Sequence, residues 1–239
     1  MTLRVALLAC AGLCVVSAAA IAEPPIGSRL GDRTMKQQVK DQRDAADIAH
    51  QLAGCAVATH ASAARDLLDA RDAEQVKKDR TQLSGEQECF ATINRNDLVD
   101  GVQVSYPPDV MRGDIAEELV KRAHTLVAQL QPLPIQKTYS RSWFAFTGRN
   151  TSVDEMATCV ADTNPAAVLA LLDSAPQSPA EGTAFSGLIP YMGPCLVAGT
   201  KLEGAREPLR AALAEALYQR MTNPDEGKLT APPAAAAPK

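Results

Sequence analysis

Apolar positions recur at helical spacing along most of the chain, with polar clusters and prolines between them. Val39, Ala46, Ala49, Leu52 and Cys55 share one face, while Lys36, Lys40, Asp44 and Gln51 fall elsewhere, which predicts a helix over about 34–58. A second helix starts near Ala61 and carries Leu67 and Leu68. Arg71–Arg80 reads as its charged continuation or as a solvated loop. Ser84 with Gln87 is a capping-box pair before a short helix holding Cys89. Asp100-Gly101 followed by alternating Val102, Val104 and Tyr106 predicts a turn and a short strand, one small β-hairpin at most. After Pro107 and Pro108 a helix is expected over about 109–130, with Ile115, Leu119, Ala123, Leu126 and Leu130 as its apolar stripe. Pro132 and Pro134 end it. Ser152 and Glu155 form a capping box for the helix bearing Met156 and Cys159, and Asn164-Pro165 opens the helix of Val168, Leu171 and Leu172. Pro176–Pro179 reads as a loop. The stretch 181–198 is partly helical, interrupted by Gly187, Pro190, Gly193 and Pro194. A last helix follows Pro208 through Leu209, Leu213 and Leu217 to Arg220.

This pattern occurs twice. Cys55 and Cys159 are each followed, after eleven intervening residues, by Leu-Leu-Asp. From Leu52/Met156 onward seven of eighteen aligned positions are identical, ending in Leu67/Leu171, Leu68/Leu172 and Asp69/Asp173. A second cysteine trails each copy, Cys89 and Cys195. Met111–Arg122 (MRGDIAEELVKR) then matches Leu209–Arg220 (LRAALAEALYQR). The expected fold is mostly α: a tandem duplication of a disulfide-stapled four-helix unit, with unit 1 over 34–131, an aromatic inter-unit segment over 132–150 and unit 2 over 151–221.

The ends read differently. Arg4, the apolar run Val5–Val16 and Ala20-Ile21-Ala22 make residues 1–22 a secretory signal peptide. Residues 23–33 (EPPIGSRLGD and Arg33) read as a flexible leader, and 222–239, ending PPAAAAPK, as a disordered tail. Four cysteines survive removal of the signal. An even number in an exported chain points to disulfides, and the duplication selects Cys55–Cys89 and Cys159–Cys195 among the three pairings. A cysteine metal site fails on spacing. Beyond the signal no window is long and apolar enough to be a transmembrane helix, so the chain is expected in the periplasm or outside the cell. Lys and Arg number 24 against 28 Asp and Glu, interspersed, which argues against nucleic acid or an anionic membrane as an obligatory partner.

Catalytic equipment is sparse. His50, His60 and His124 belong to no ligand pair at helical spacing, and no phosphate loop, nucleophile elbow or dinucleotide fingerprint is present. No metal and no cofactor is expected. Glu117 and Glu215 occupy matched positions. As an acid/base pair they would make the chain a hydrolase with carboxylates in the inter-unit cleft, while surface or salt-bridging service at helical spacing is the plainer reading. Asp69 and Asp173 read as helix-end residues or a repeated ligand contact. Arg112-Gly113-Asp114 spells an adhesion tripeptide but lies inside a helix. Trp143, Phe144 and Phe146 are the candidate interaction surface, or else core between the units.

In its signal peptide, Cys-x11-Leu-Leu-Asp units and LRAALAEALYQR helix the chain resembles secreted, periplasmic helical proteins of alphaproteobacteria to which no activity is attached. That resemblance implies export and no functional residues. The function expected is non-enzymatic: an interaction or structural role in the envelope, with an unknown protein or small ligand as partner. The alternatives are an envelope hydrolase and a carrier of a small apolar ligand.

Overall fold

The computed structural model describes residues 45–84, 89, 106–196 and 205–224, all within the compact unit Val39–Lys239. Helix α1 is described over 45–59. It is followed by α2 (Ala61–Asp69), α3 (Ala73–Ser84), α4 (Pro108–Arg122), the single turn α5 (His124–Val127), a 3-10 turn (Ser142–Phe146), α6 (Thr151–Thr163), α7 (Pro165–Leu172), α8 (Pro179–Cys195) and α9 (Arg206–Thr222). No strand occurs among the described residues. The expected signal peptide, leader and hairpin over 100–105, Gln87 of the first capping box and the tail beyond residue 224 lie outside them.

Short polar side chains start α6, α7 and α8. Asn150 Oδ1 accepts from the Ser152 amide at 2.9 Å, Asn164 Oδ1 from Ala167 at 3.4 Å and Ser178 Oγ from Glu181 at 3.1 Å. The cap of α6 is therefore Asn150, not Ser152. Arg71–Arg80 is neither loop nor continuation of α2: the extended backbone at Ala70 breaks the chain, and α3 starts anew with Asp72 Oδ1 accepting from the Gln75 amide. The stripe expected to reach Leu130 ends early. Ala123 leaves helical geometry, the register turns, and Val127 is buried while Leu126 is 63% exposed. Pro190 does not interrupt α8, which runs to Cys195 with Phe185, Leu188 and Met192 inward.

The core is built around α9, whose residues from Arg210 to Gln219 are all buried. Against it lies α4, buried from Val110 to Glu117. The two helices cross where both carry small residues. A Cβ added to Gly113 would overlap the backbone and Cβ of Ala211, so glycine is required there by close approach. Leucines of α2 and α7, with Met156 and Val160 of α6, fill the surroundings. Trp143 is 1% exposed and meets Phe144 edge-on at 4.6 Å, and Phe146 is half-buried. The tryptophan therefore belongs to the core rather than to an interaction surface, because the 3-10 turn folds its large apolar ring inward. Cys55 with Cys89 and Cys159 with Cys195 stand at disulfide distance, with Cα–Cα separations of 5.6 Å in both pairs.

Candidate functional site

The crossing of α4 and α9 gathers an unusual number of charges into the interior. Arg112 of α4 donates through Nε to Glu215 Oε1 of α9 at 3.1 Å. Arg210 of α9 donates through Nε to Glu117 Oε2 of α4 at 2.7 Å, and through Nη2 to Oε1 at 2.7 Å. All four side chains are almost completely buried. Each arginine has a second task. Arg112 donates to the carbonyls of Leu67 (2.7 Å) and Leu68 (3.5 Å), and Arg210 to those of Leu171 and Leu172 (both 3.1 Å). Those carbonyls lie at the C-terminal ends of α2 and α7, where a cation also meets the negative end of the helix dipole; the Leu171 carbonyl accepts from the Ser174 amide and that of Leu68 from Gln219 as well. The recurrence of Leu-Leu-Asp thus has a local cause: each leucine pair ends a short helix whose last turn is closed by a distant guanidinium.

Glu215 receives a second arginine. Arg149 Nη2 reaches its Oε2, while Arg149 Nε donates to Asp154 Oδ1 at 2.7 Å and Nη1 to the Asp109 carbonyl at 3.0 Å. Asp154 Oδ2 accepts from Thr147 Oγ1 at 2.7 Å. Burial pushes the Glu215 carboxyl up, but the charges of Arg112 and Arg149 outweigh it and hold it below the usual range.

Glu117 is completed otherwise. Lys121, one turn on, approaches its Oε1 at 2.7 Å, and Arg210 continues to Glu181 Oε1 at 3.0 Å. Burial raises Glu117, but the hydrogen bonds and charge of Arg210 prevail and the net shift is downward. Behind it lies His50 of α1, its Nδ1 3.7 Å from Glu117 Oε1. The Nε2 of His50 is 3.0 Å from Glu207 Oε1 at the start of α9 and 3.6 Å from Asp114 Oδ1 of α4. Tyr106, just before α4, donates its hydroxyl to Asp114 Oδ2 at 2.8 Å. Asp114 is 0% exposed, and the side chains of His50 and Glu207 are 10% and 16% exposed. Three atoms in this cluster are buried without a hydrogen-bond partner: His50 Nδ1, Asp114 Oδ1 and Glu207 Oε2. Burial pushes His50 down, but the bond to Glu207 and the charges of Asp114 and Glu117 carry it up to about 9. Burial pushes Asp114 up to about 7, against the pull of His50.

The residues singled out by sequence are thus scattered between roles. Glu117 and Glu215 sit in the interior, each tied to an arginine rather than lining a cleft. Arg112, Gly113 and Asp114 are buried in α4 and cannot face an adhesion receptor. His60 precedes α2 without capping it through its side chain, and His124 lies exposed, 3.2 Å from Asp173. Asp69 ends α2 and Asp173 follows α7. The cluster of His50, Asp114 and Glu207 escaped the sequence reading, because its members come from three helices far apart in the chain. The one available signal was position: each lies in or near a repeated sequence feature, His50 before Cys55, Asp114 within and Glu207 just before the matched Arg-x4-Glu segments.

No known protein-family model matches the chain, and no curated protein or solved structure matches it. No helix among the described residues is long and apolar enough to cross a membrane.

Proposed function

We propose that this chain is an exported helical protein with a non-enzymatic structural or interaction role in the envelope, built by tandem duplication of one helical unit. The observation that carries this reading is the reciprocal exchange at the α4–α9 crossing. Arg112 and Arg210 occupy matched positions, as do Glu117 and Glu215, and each arginine takes the other segment's glutamate. Each also closes the Leu-Leu end of the short helix in its own half. Gly113 faces Ala211, its own matched position. Residue i touching j′ while j touches i′ is what a two-fold relation between copies produces. The alphaproteobacterial resemblance and the signal peptide fit the same origin and compartment.

The placement of the carboxylates supports a non-enzymatic role. A glycosidase acid or base must reach a substrate, whereas Glu117 and Glu215 are buried with their charges neutralised by arginine. A carrier of an apolar ligand draws no support from the cavity beside Trp143, which is lined partly by Arg141, Asp162 and Arg220 and is about the size of one water molecule. Ile189 and Tyr191 on α8 are exposed apolar side chains from which a partner search starts.

Two measurements test this. Protein recovered from cells and mapped without reduction is expected to begin at Glu23 and to yield crosslinked peptides Cys55–Cys89 and Cys159–Cys195. A retained leader with free thiols would overturn export. A photo-crosslinker placed at Ile189 or Tyr191 in living cells is expected to give one discrete adduct that Ile189→Asp abolishes. Absence of any adduct together with turnover of a cell-wall substrate would replace the structural role with an enzymatic one.

A further inference from the structure

We propose that His50, Asp114 and Glu207 form a binding site for a single divalent transition-metal ion of the zinc class. The argument is geometric. One ligand atom from each residue, an imidazole nitrogen and two carboxylate oxygens, lies within 4.8 Å of the others. His50 Nε2 stands 3.0 Å from Glu207 Oε1 and 3.6 Å from Asp114 Oδ1. Ligands about 2.0–2.2 Å from a tetrahedral ion are separated from each other by about that distance.

A second observation points the same way. Asp114 is wholly buried, and its Oδ1, turned toward His50, has no hydrogen-bond partner. A carboxylate oxygen desolvated without a partner is costly. Its other oxygen is not idle: Tyr106 donates to Oδ2 and, through the same hydroxyl, contacts the Ala49 carbonyl at 3.2 Å. Tyr106 therefore fixes the carboxylate with Oδ1 presented to the cluster. His50 Nε2 faces the two other ligands, while Nδ1 lies 3.7 Å from the Glu117 carboxylate, beyond hydrogen-bond reach. A phenol behind a carboxylate is an outer contact of the kind that orients metal ligands.

The donor set selects the ion. Two oxygens and one imidazole nitrogen suit zinc, cobalt(II) or manganese(II) better than magnesium or calcium, which favour oxygen alone. Three protein ligands leave a position for water or an outside ligand, and the slight exposure of His50 and Glu207 gives an ion a way in. This assignment goes beyond the structural role above, and its failure would leave that role intact.

The test uses untagged mature protein with its disulfides intact, stripped with EDTA, gel-filtered and titrated with zinc by calorimetry, with metal counted by plasma emission. One zinc per chain is expected, with thermal stabilisation that rises with zinc concentration. Glu207→Gln, at the rim of the cluster, is expected to keep the fold by circular dichroism and to weaken binding at least tenfold. His50→Ala is expected to abolish it, together with the visible spectrum of the cobalt form. His124→Ala leaves both unchanged. Failure of the folded wild type to retain stoichiometric zinc overturns the proposal. So does uptake undiminished in both Glu207→Gln and His50→Ala, or displacement of zinc by equimolar magnesium.

Discussion

Glu215 and Glu117 share one helix crossing and are neutralised in opposite styles. Around Glu215 the network is closed: Arg112 and Arg149 supply forked donors, Arg149 passes on to Asp154, and Thr147 completes Asp154. Around Glu117 the far member is a histidine, and three carboxylates converge on an imidazole with two nitrogens. A guanidinium has five donors in a plane and can serve several buried acceptors at once, whereas imidazole cannot. One side of the crossing is therefore consumed by architecture, while the other retains unspent ligand capacity. If the repeated sequence pattern is extended backward from Cys55/Cys159, His50 stands against Asp154 and Ala45 against Arg149. Matched positions of the two halves thus serve a closed network in one and open ligand atoms in the other.

The sharpest way to break this contrast is Glu215→Ala. It strands Arg112 and Arg149 in the interior and is expected to cost about 3–5 kcal/mol in urea unfolding. A loss below about 1 kcal/mol would show the closed side to be dispensable. Next comes pH. In chelator-treated protein, the raised His50 contributes stability that is full below its ordinary value near 6.5 and is lost as pH rises through about 9. The raised Asp114 acts in the same direction, losing its contribution between its ordinary value and about 7. The lowered Glu117 and Glu215 act oppositely, their contribution disappearing as pH falls below the usual carboxylate range. Stability is thus expected to peak in mild acid, and the part of its fall that belongs to His50, on the order of 3 kcal/mol, comes between about pH 6.5 and 9. Urea midpoints across that range measure the fall, which His50→Ala should flatten.

Smaller effects refine the picture. Asp154→Ala removes one partner of a buried arginine that keeps Glu215, and is expected to cost about 1.5–3 kcal/mol. Asp114→Asn on the other side retains an acceptor for Tyr106 and removes a desolvated charge, so a change within about 1 kcal/mol is expected by the same measurement. Equal costs for the two variants would erase the distinction between lock and site.

Much of the helical layout was legible in the sequence. The Asn164-Pro165 start is local chemistry, and the apolar periodicities of α2, α6 and α9 depend only on their own residues, whereas the Ser178 cap inside the stretch read as a loop was missed. The cysteine pairs followed from the repeated spacing. What escaped was long-range. α3 emerges as a helix because Asp72 caps it after a break at Ala70, a conformation that composition does not announce. α4 stops at Ala123 although its stripe continues. The matched Arg and Glu positions were visible as a repeat, but nothing local says that each arginine reaches the opposite glutamate. Arg112-Gly113-Asp114 was legible as letters and misleading as an adhesion signal. Its three residues serve as helix closure, backbone contact and buried carboxylate.

The exchanged arginines carry a consequence for how the chain can be divided. Arg112 finds the carboxylate it bonds, Glu215, only in the other half, Arg210 divides its bonds between Glu117 of the other half and Glu181 of its own, and the short helices α2 and α7 are too brief to persist unaided. Cleavage in the exposed stretch between Gln131 and Lys137 should therefore yield two peptides that are unfolded apart and regain helicity when mixed at equal concentration. Complementation of that kind would make the molecule a single cooperative body assembled from interdependent moieties.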